Sequence, residues 1–78
     1  MIKLTNIKQQ NKIISVDVES KETNPHQKYN LMFDLDTESY RATISNPDRF
    51  DVLKIIHKLN SYIEEGKKLP TIDCIACY

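Results

Sequence analysis

Apolar and polar residues alternate in short runs over the first half of the chain, and the period lengthens to that of a helix in the second. Ile2 and Leu4 alternate with Lys3 and Thr5, which predicts a short, half-buried strand. Gln9–Lys12 reads as a turn, although it lacks the Asn-Gly pair of the tightest hairpins. Over Ile13–Ser20, Ile14, Val16 and Val18 share one face while Ser15, Asp17 and Glu19 take the other. The polar, proline-bearing Ser20–Gln27 (SKETNPHQ) predicts a surface loop. A third strand over Lys28–Asp36 places Tyr29, Leu31, Phe33 and Leu35 together. Asp36-Thr37-Glu38-Ser39 suits a type I turn with Asp at its first position. A fourth strand, Tyr40–Ser45, sets Tyr40, Ala42 and Ile44 against Arg41, Thr43 and Ser45.

From Asn46 to Gly66 the spacing is helical. Val52, Ile55, Ile56, Leu59, Tyr62 and Ile63 form one apolar stripe. Asn46 is placed to cap the free N–H groups, Pro47 suits the first helical position, and Asp48 and Asp51 favour the positive end of the dipole. Gly66 supplies a left-handed stop, Lys67 and Lys68 complement the negative end, and Pro70 prevents a restart.

Four strands joined by short polar turns predict an antiparallel meander with one apolar face, and the helix stripe is the cover for it. The expected fold is α+β, in the order β-β-β-β-α, within one small domain spanning residues 1–78. Thr71–Tyr78 (TIDCIACY) also alternates, so it suits a fifth strand on a sheet edge, a cover for the end of the core, or an arm to a neighbouring chain.

Eleven basic and eleven acidic residues cancel, so no net field recruits nucleic acid or a membrane surface. Nine of the basic residues are Lys and two are Arg, a bias that AT-rich coding produces. On composition the chain reads as that of a low-GC bacterium, its phage or a mobile element. The single glycine argues against the phosphate-cradling loops of common nucleotide enzymes, and no cofactor is expected. The N-terminus, MIKLTNIKQQ, has no apolar run followed by a small-residue cleavage site. No stretch approaches the roughly 20 apolar residues of a membrane helix. The expectation is a cytoplasmic protein with reduced cysteines.

Cys74-Ile75-Ala76-Cys77 is a C-x-x-C, a spacing that closes a small disulfide or supplies two zinc ligands. A thioredoxin-like redox site needs a helix after the motif, and only Tyr78 follows. His26 and His57 are the histidines that would complete a metal site with Cys74 and Cys77. Such tail cysteines serve more commonly as small apolar fillers of a strand. Asp34, Asp36 and Glu38 alternate in a way that suits a hard cation, but acidic surface positions also serve solubility. Lys54, Lys58, Lys67 and Lys68 could touch phosphate, and Tyr29, Phe33 and Tyr40 could stack bases, yet those aromatics share the face needed by the helix. Phe50, Leu53, His57 and Asn60 form a second arc along the helix, either wrapping over the end of the sheet or forming a contact surface. No motif ties His57 to a nucleophile.

The chain is therefore expected to be a non-enzymatic protein-interaction module, contacting another protein or pairing as a homodimer through Phe50, Leu53 and His57. A phage- or mobile-element-encoded regulator or inhibitor of a host protein fits this size and composition. Metal or thiol binding through the C-x-x-C is the alternative, and nucleic-acid binding stands behind it.

Overall fold

The computed structural model describes residues 1–21 and 26–75. Over them the chain forms strands β1 (Ile2–Gln10), β2 (Ile13–Ser20), β3 (Gln27–Asp34) and β4 (Tyr40–Ala42), helix α1 (Arg49–Glu64) and strand β5 (Asp73–Ile75). The strands make one antiparallel sheet in the order β4-β3-β2-β1-β5. The α+β meander expected from the alternation is present, and the ambiguous tail supplies the fifth strand, on the free side of β1. The positions of Ala76, Cys77 and Tyr78 in that alternation lie outside the described residues.

One face of the sheet carries the core. Leu4, Val18 and Tyr29 lie side by side across β1, β2 and β3, as do Ile14 and Phe33 and Val16 and Leu31 across the last two. The helix adds Val52, Ile55 and Leu59, all fully buried against these side chains. Ile56, Tyr62 and Ile63, the remainder of the stripe, pack half-buried on the flanks. Fully burying a branched aliphatic side chain contributes about 1.5–3 kcal/mol, so this shared layer dominates the stability of so small a chain. Among the described residues, no helix is long and apolar enough to cross a membrane.

Strand β1 is longer than its first alternation suggests because a bulge resets the pattern. Its register shifts between Thr5 and Lys8, and Asn6 sits at φ 51°. Two residues of β1 thus oppose one of β2, which turns Ile7 into the core where strict alternation would have sent Asn6. Asparagine tolerates the left-handed region better than other residues with a Cβ. Here its side chain also donates to Asp17 Oδ2 at 2.8 Å. Asn30 donates to the other oxygen of Asp17 at 3.0 Å, and the two hydrogen bonds hold that carboxyl below its usual pKa.

One turn and one helix cap differ from expectation. Asp34, not Asp36, opens the β3–β4 turn: its Oδ1 accepts from Asp36 N (2.8 Å) and Thr37 N (3.1 Å), and its carbonyl accepts from Glu38 N (3.0 Å). The side chain thereby satisfies backbone donors that the bend leaves over. β3 consequently stops at Asp34 and β4 shrinks to three residues. The helix cap is likewise Asp48 rather than Asn46, with Asp48 Oδ1 accepting from Asp51 N at 3.0 Å. Asn46 contributes its carbonyl, which accepts from Gln27 Nε2 (2.9 Å), while Gln27 Oε1 accepts from Asp48 N (3.1 Å). Pro47 therefore precedes the cap instead of opening the helix. At the other end Gly66, at φ 69°, closes the expected stop: its N–H bonds to Ile63 O and that of Lys67 to Tyr62 O, the paired bonds of a Schellman motif.

Polar contacts also pin the helix to the sheet. Ser20 Oγ donates to the buried Asp51 carboxylate at 2.6 Å, and Tyr62 donates to Asp73 Oδ2 of β5 at 2.9 Å. Nearby, the buried Tyr29 hydroxyl finds no hydrogen-bond partner among the described residues. Burial first, then the Asp51 and Asp48 carboxylates, push its pKa up to about 12.

Two outcomes test these assignments. Asp48→Ala should destabilise the chain by about 1 kcal/mol, as loss of a helix cap does, whereas Asn46→Ala should stay within about 0.5 kcal/mol in urea unfolding. Tyr29→Phe removes a buried donor that has no partner among the described residues, so stability at pH 7 should hold or rise. A Tyr pKa raised on folding makes the folded state hold its proton more tightly, so that stability is full below about pH 10 and falls between there and pH 12. Urea midpoints should thus decline less over that alkaline range in Tyr29→Phe than in the parent chain.

Candidate functional site

A single helix is narrower than the sheet it covers. Five strands spaced about 4.8 Å apart span about 19 Å between the outer two, while a helix with its side chains is about 10–12 Å across. On the β5 side the difference is made up by Tyr62, Leu69 and Ile75, and by Lys58 Nζ standing 3.6 Å from Asp73. On the β4 side a groove of about 450 Å³ remains between α1 and the end of the sheet. Phe33 and Leu35 lie at its sheet side with Tyr40, and Leu53 and Ile56 face them from the helix. Arg49, Asn60, Asp34 and Glu38 supply its polar lining.

The groove continues onto an exposed apolar surface. Leu53 is 49% exposed and Tyr40 44% exposed, and one turn before Leu53 the Phe50 ring is 74% exposed. His57 lies exposed on the same side of the helix. Phe50 and Leu53 therefore do not wrap over the sheet, the first of the two roles open to that arc. They face outward, and Leu53 joins the groove while Phe50 and His57 stand beside it.

The other candidate residues are dispersed. Cys74 pairs with Lys3 on the sheet edge formed by β5 and is disulfide-bonded, which corrects the expectation that it is reduced. His26 is exposed just ahead of β3, three strand spacings or about 14 Å across the sheet from β5. His57 is on the outward side of the helix, so the structure does not bring these three together; Cys77 lies outside the described residues. Among the described residues, no group of three His, Cys, Asp or Glu side chains is placed to hold a metal ion. In the acidic trio, Asp34 is occupied by its turn and Asp36 stands 3.7 Å from Lys12, while Glu38, at φ 60°, reaches the groove. Lys58 and Lys67 stand close to Asp73 and Glu65, and Lys54 and Lys68 are exposed. Tyr29 and Phe33 are buried beneath the helix, which leaves Tyr40 as the exposed member of the aromatic set.

In the sequence Ile56 and Leu35 belong only to apolar stripes, and Tyr40 belongs to one as well as to the aromatic set weighed for base stacking. Their role in the groove follows from comparing the width of one helix with that of the sheet, a signal present in the strand count. Arg49 carried no sequence signal beyond its place in the first helical turn. No protein-family model, curated protein or solved structure matches this chain.

If the outward side chains are not needed for folding, Leu53→Asp and Phe50→Asp should each change unfolding free energy by less than about 0.5 kcal/mol. Leu59→Ala, from the buried stripe, should cost about 2–5 kcal/mol in the same urea titration.

Proposed function

We propose that this chain is a small non-enzymatic module that works by binding another protein through the groove beside β4 and the adjoining Phe50–Leu53 surface. The observation that carries the reading is the exposed Phe50 ring, continuous through Leu53 with an apolar groove whose charged groups also line it. Water contact with so much apolar surface is unfavourable, and binding a partner removes it. Aromatic side chains in such positions are common centres of binding energy. The lining suits recognition: apolar side chains give affinity, and Arg49, Glu38 and Asp34 give orientation. A regulator or inhibitor that acts by occupying a surface of a host protein is the role this reading favours.

The test compares a tagged parent chain with Phe50→Asp and Leu53→Asp in recovery from the native cell. A partner recovered by the parent and reduced at least tenfold by either variant, both still folded by circular dichroism, is the expected result. An identical set of proteins on all three chains, or none on the parent, contradicts it.

A further inference from the structure

Strand β4 ends the sheet, and its register leaves part of its backbone facing outward. Asp34 N–H bonds to Ser39 O at 2.9 Å, and Thr43 N–H bonds to Asn30 O at 3.0 Å. Met32 and Arg41, midway between them, are therefore the pair that exchanges both ladder bonds. Tyr40 and Ala42 fall in the alternate pairs, so their N–H and C=O groups point away from β3. No described residue bonds to them. Many proteins blunt such an edge with brevity, charge, proline or a covering loop; β4 (Tyr-Arg-Ala) is three residues long and carries Arg41, but contains neither lysine nor proline.

Both faces beside this edge are hollow. The groove toward α1 presents Tyr40, Leu53 and Ile56. On the opposite face a shallower hollow of about 300 Å³ presents Ile13, Met32 and Arg41, and Tyr40 and Phe33 border both. Successive side chains of an extended strand point to opposite faces, so one strand laid along β4 would fill both hollows at once. The chain has two arginines, and each lines one of the hollows: Arg49 the groove, Arg41 the opposite face. Neither stands within ion-pair distance of a carboxylate among the described residues. Arginine at an interface suits two-point recognition of a carboxylate.

We infer that β4 accepts an added strand from a partner protein, an extended segment with apolar side chains at alternate positions and a carboxylate set against Arg41 or Arg49. This rests on the protein-binding reading above and names the form of the partner. A second copy of the chain fits less well, because antiparallel self-pairing centred on β4 sets Arg41 opposite Arg41, and like charges directly across a ladder repel.

The experiment selects binders from a displayed library of random 12-residue peptides, then measures the best by fluorescence anisotropy. The chains compared are the parent, Ala42→Pro, Arg41→Glu, Arg49→Glu and Leu53→Asp. Proline at 42 removes an outward N–H and leaves the β3 ladder intact, a placement that edge strands tolerate. Selected peptides should alternate apolar residues and carry Asp or Glu. Binding should weaken at least tenfold in Ala42→Pro and at least fivefold in one arginine variant. Should Ala42→Pro fail to fold, slowed exchange of the Tyr40 and Ala42 amides on adding peptide to the parent chain provides the same support. Peptides that bind Ala42→Pro at parental strength but not Leu53→Asp would overturn strand addition while leaving the protein-binding reading standing. Peptides indifferent to both arginine variants, a parent dimer that Ala42→Pro dissociates, or a selection with no enrichment would also overturn the inference.

Discussion

Burial of the Val52, Ile55 and Leu59 stripe against the inner face of β1, β2 and β3 is the contact on which the other features depend. The meander has one apolar face and one amphipathic helix to cover it, and each buries its apolar side on the other. Because that helix is narrower than five strands, the way it sits decides which part of the face stays open. Asp73, Tyr62 and Lys58 tie it toward β5. The uncovered remainder lies beside β4 and is lined by side chains of the same apolar stripes that build the core. In this account the core and the candidate binding surface are two parts of one face, divided by the width of the helix.

Polar contacts fix the helix where apolar packing alone would permit sliding. Ser20 meets Asp51 in a buried hydrogen bond, and Gln27 bonds both to the Asn46 carbonyl and to the Asp48 N–H. Packing between apolar surfaces is weakly directional, whereas a buried donor or acceptor left unpaired costs about 1–3 kcal/mol. Ser20, Gln27 and Asp51 thus select one seating of the helix among several that would bury similar area. Tyr29, close to these groups, is the exception, its hydroxyl buried without a partner among the described residues.

Much of this architecture is legible in the sequence because period and burial are coupled: the alternation at Ile14, Val16 and Val18, the stripe from Val52 to Ile63, and the stop at Gly66 all appear as read. The misplacements share a cause. The Asn6 bulge, the Asp34 turn and the Asp48 cap each depend on one side chain satisfying particular backbone groups, and hydrophobic period is silent on that choice. Asn46 and Asp48 are both good caps by type, and only the reach of Gln27 from β3 decides between them. At the candidate site the arc of Phe50, Leu53 and His57 is visible from spacing, but spacing does not say whether it wraps over the sheet or faces outward. Only the exposure of Phe50 and Leu53 decides that. The partnership of Leu53 with Tyr40, Leu35 and Ile56 is not visible, because it joins a helix flank to a sheet edge distant in sequence.

Residue-resolved hydrogen exchange on the free chain tests most directly whether the helix leaves the β4 side of the sheet open. Amides of Val52, Ile55, Leu59 and the central strand β2 should be the slowest to exchange. Along β4, Arg41 and Thr43 should be protected while Tyr40 and Ala42 exchange close to the rate of exposed amides. Strong protection at Tyr40 and Ala42 in the free chain, or fast exchange along the buried helix stripe, would contradict the account.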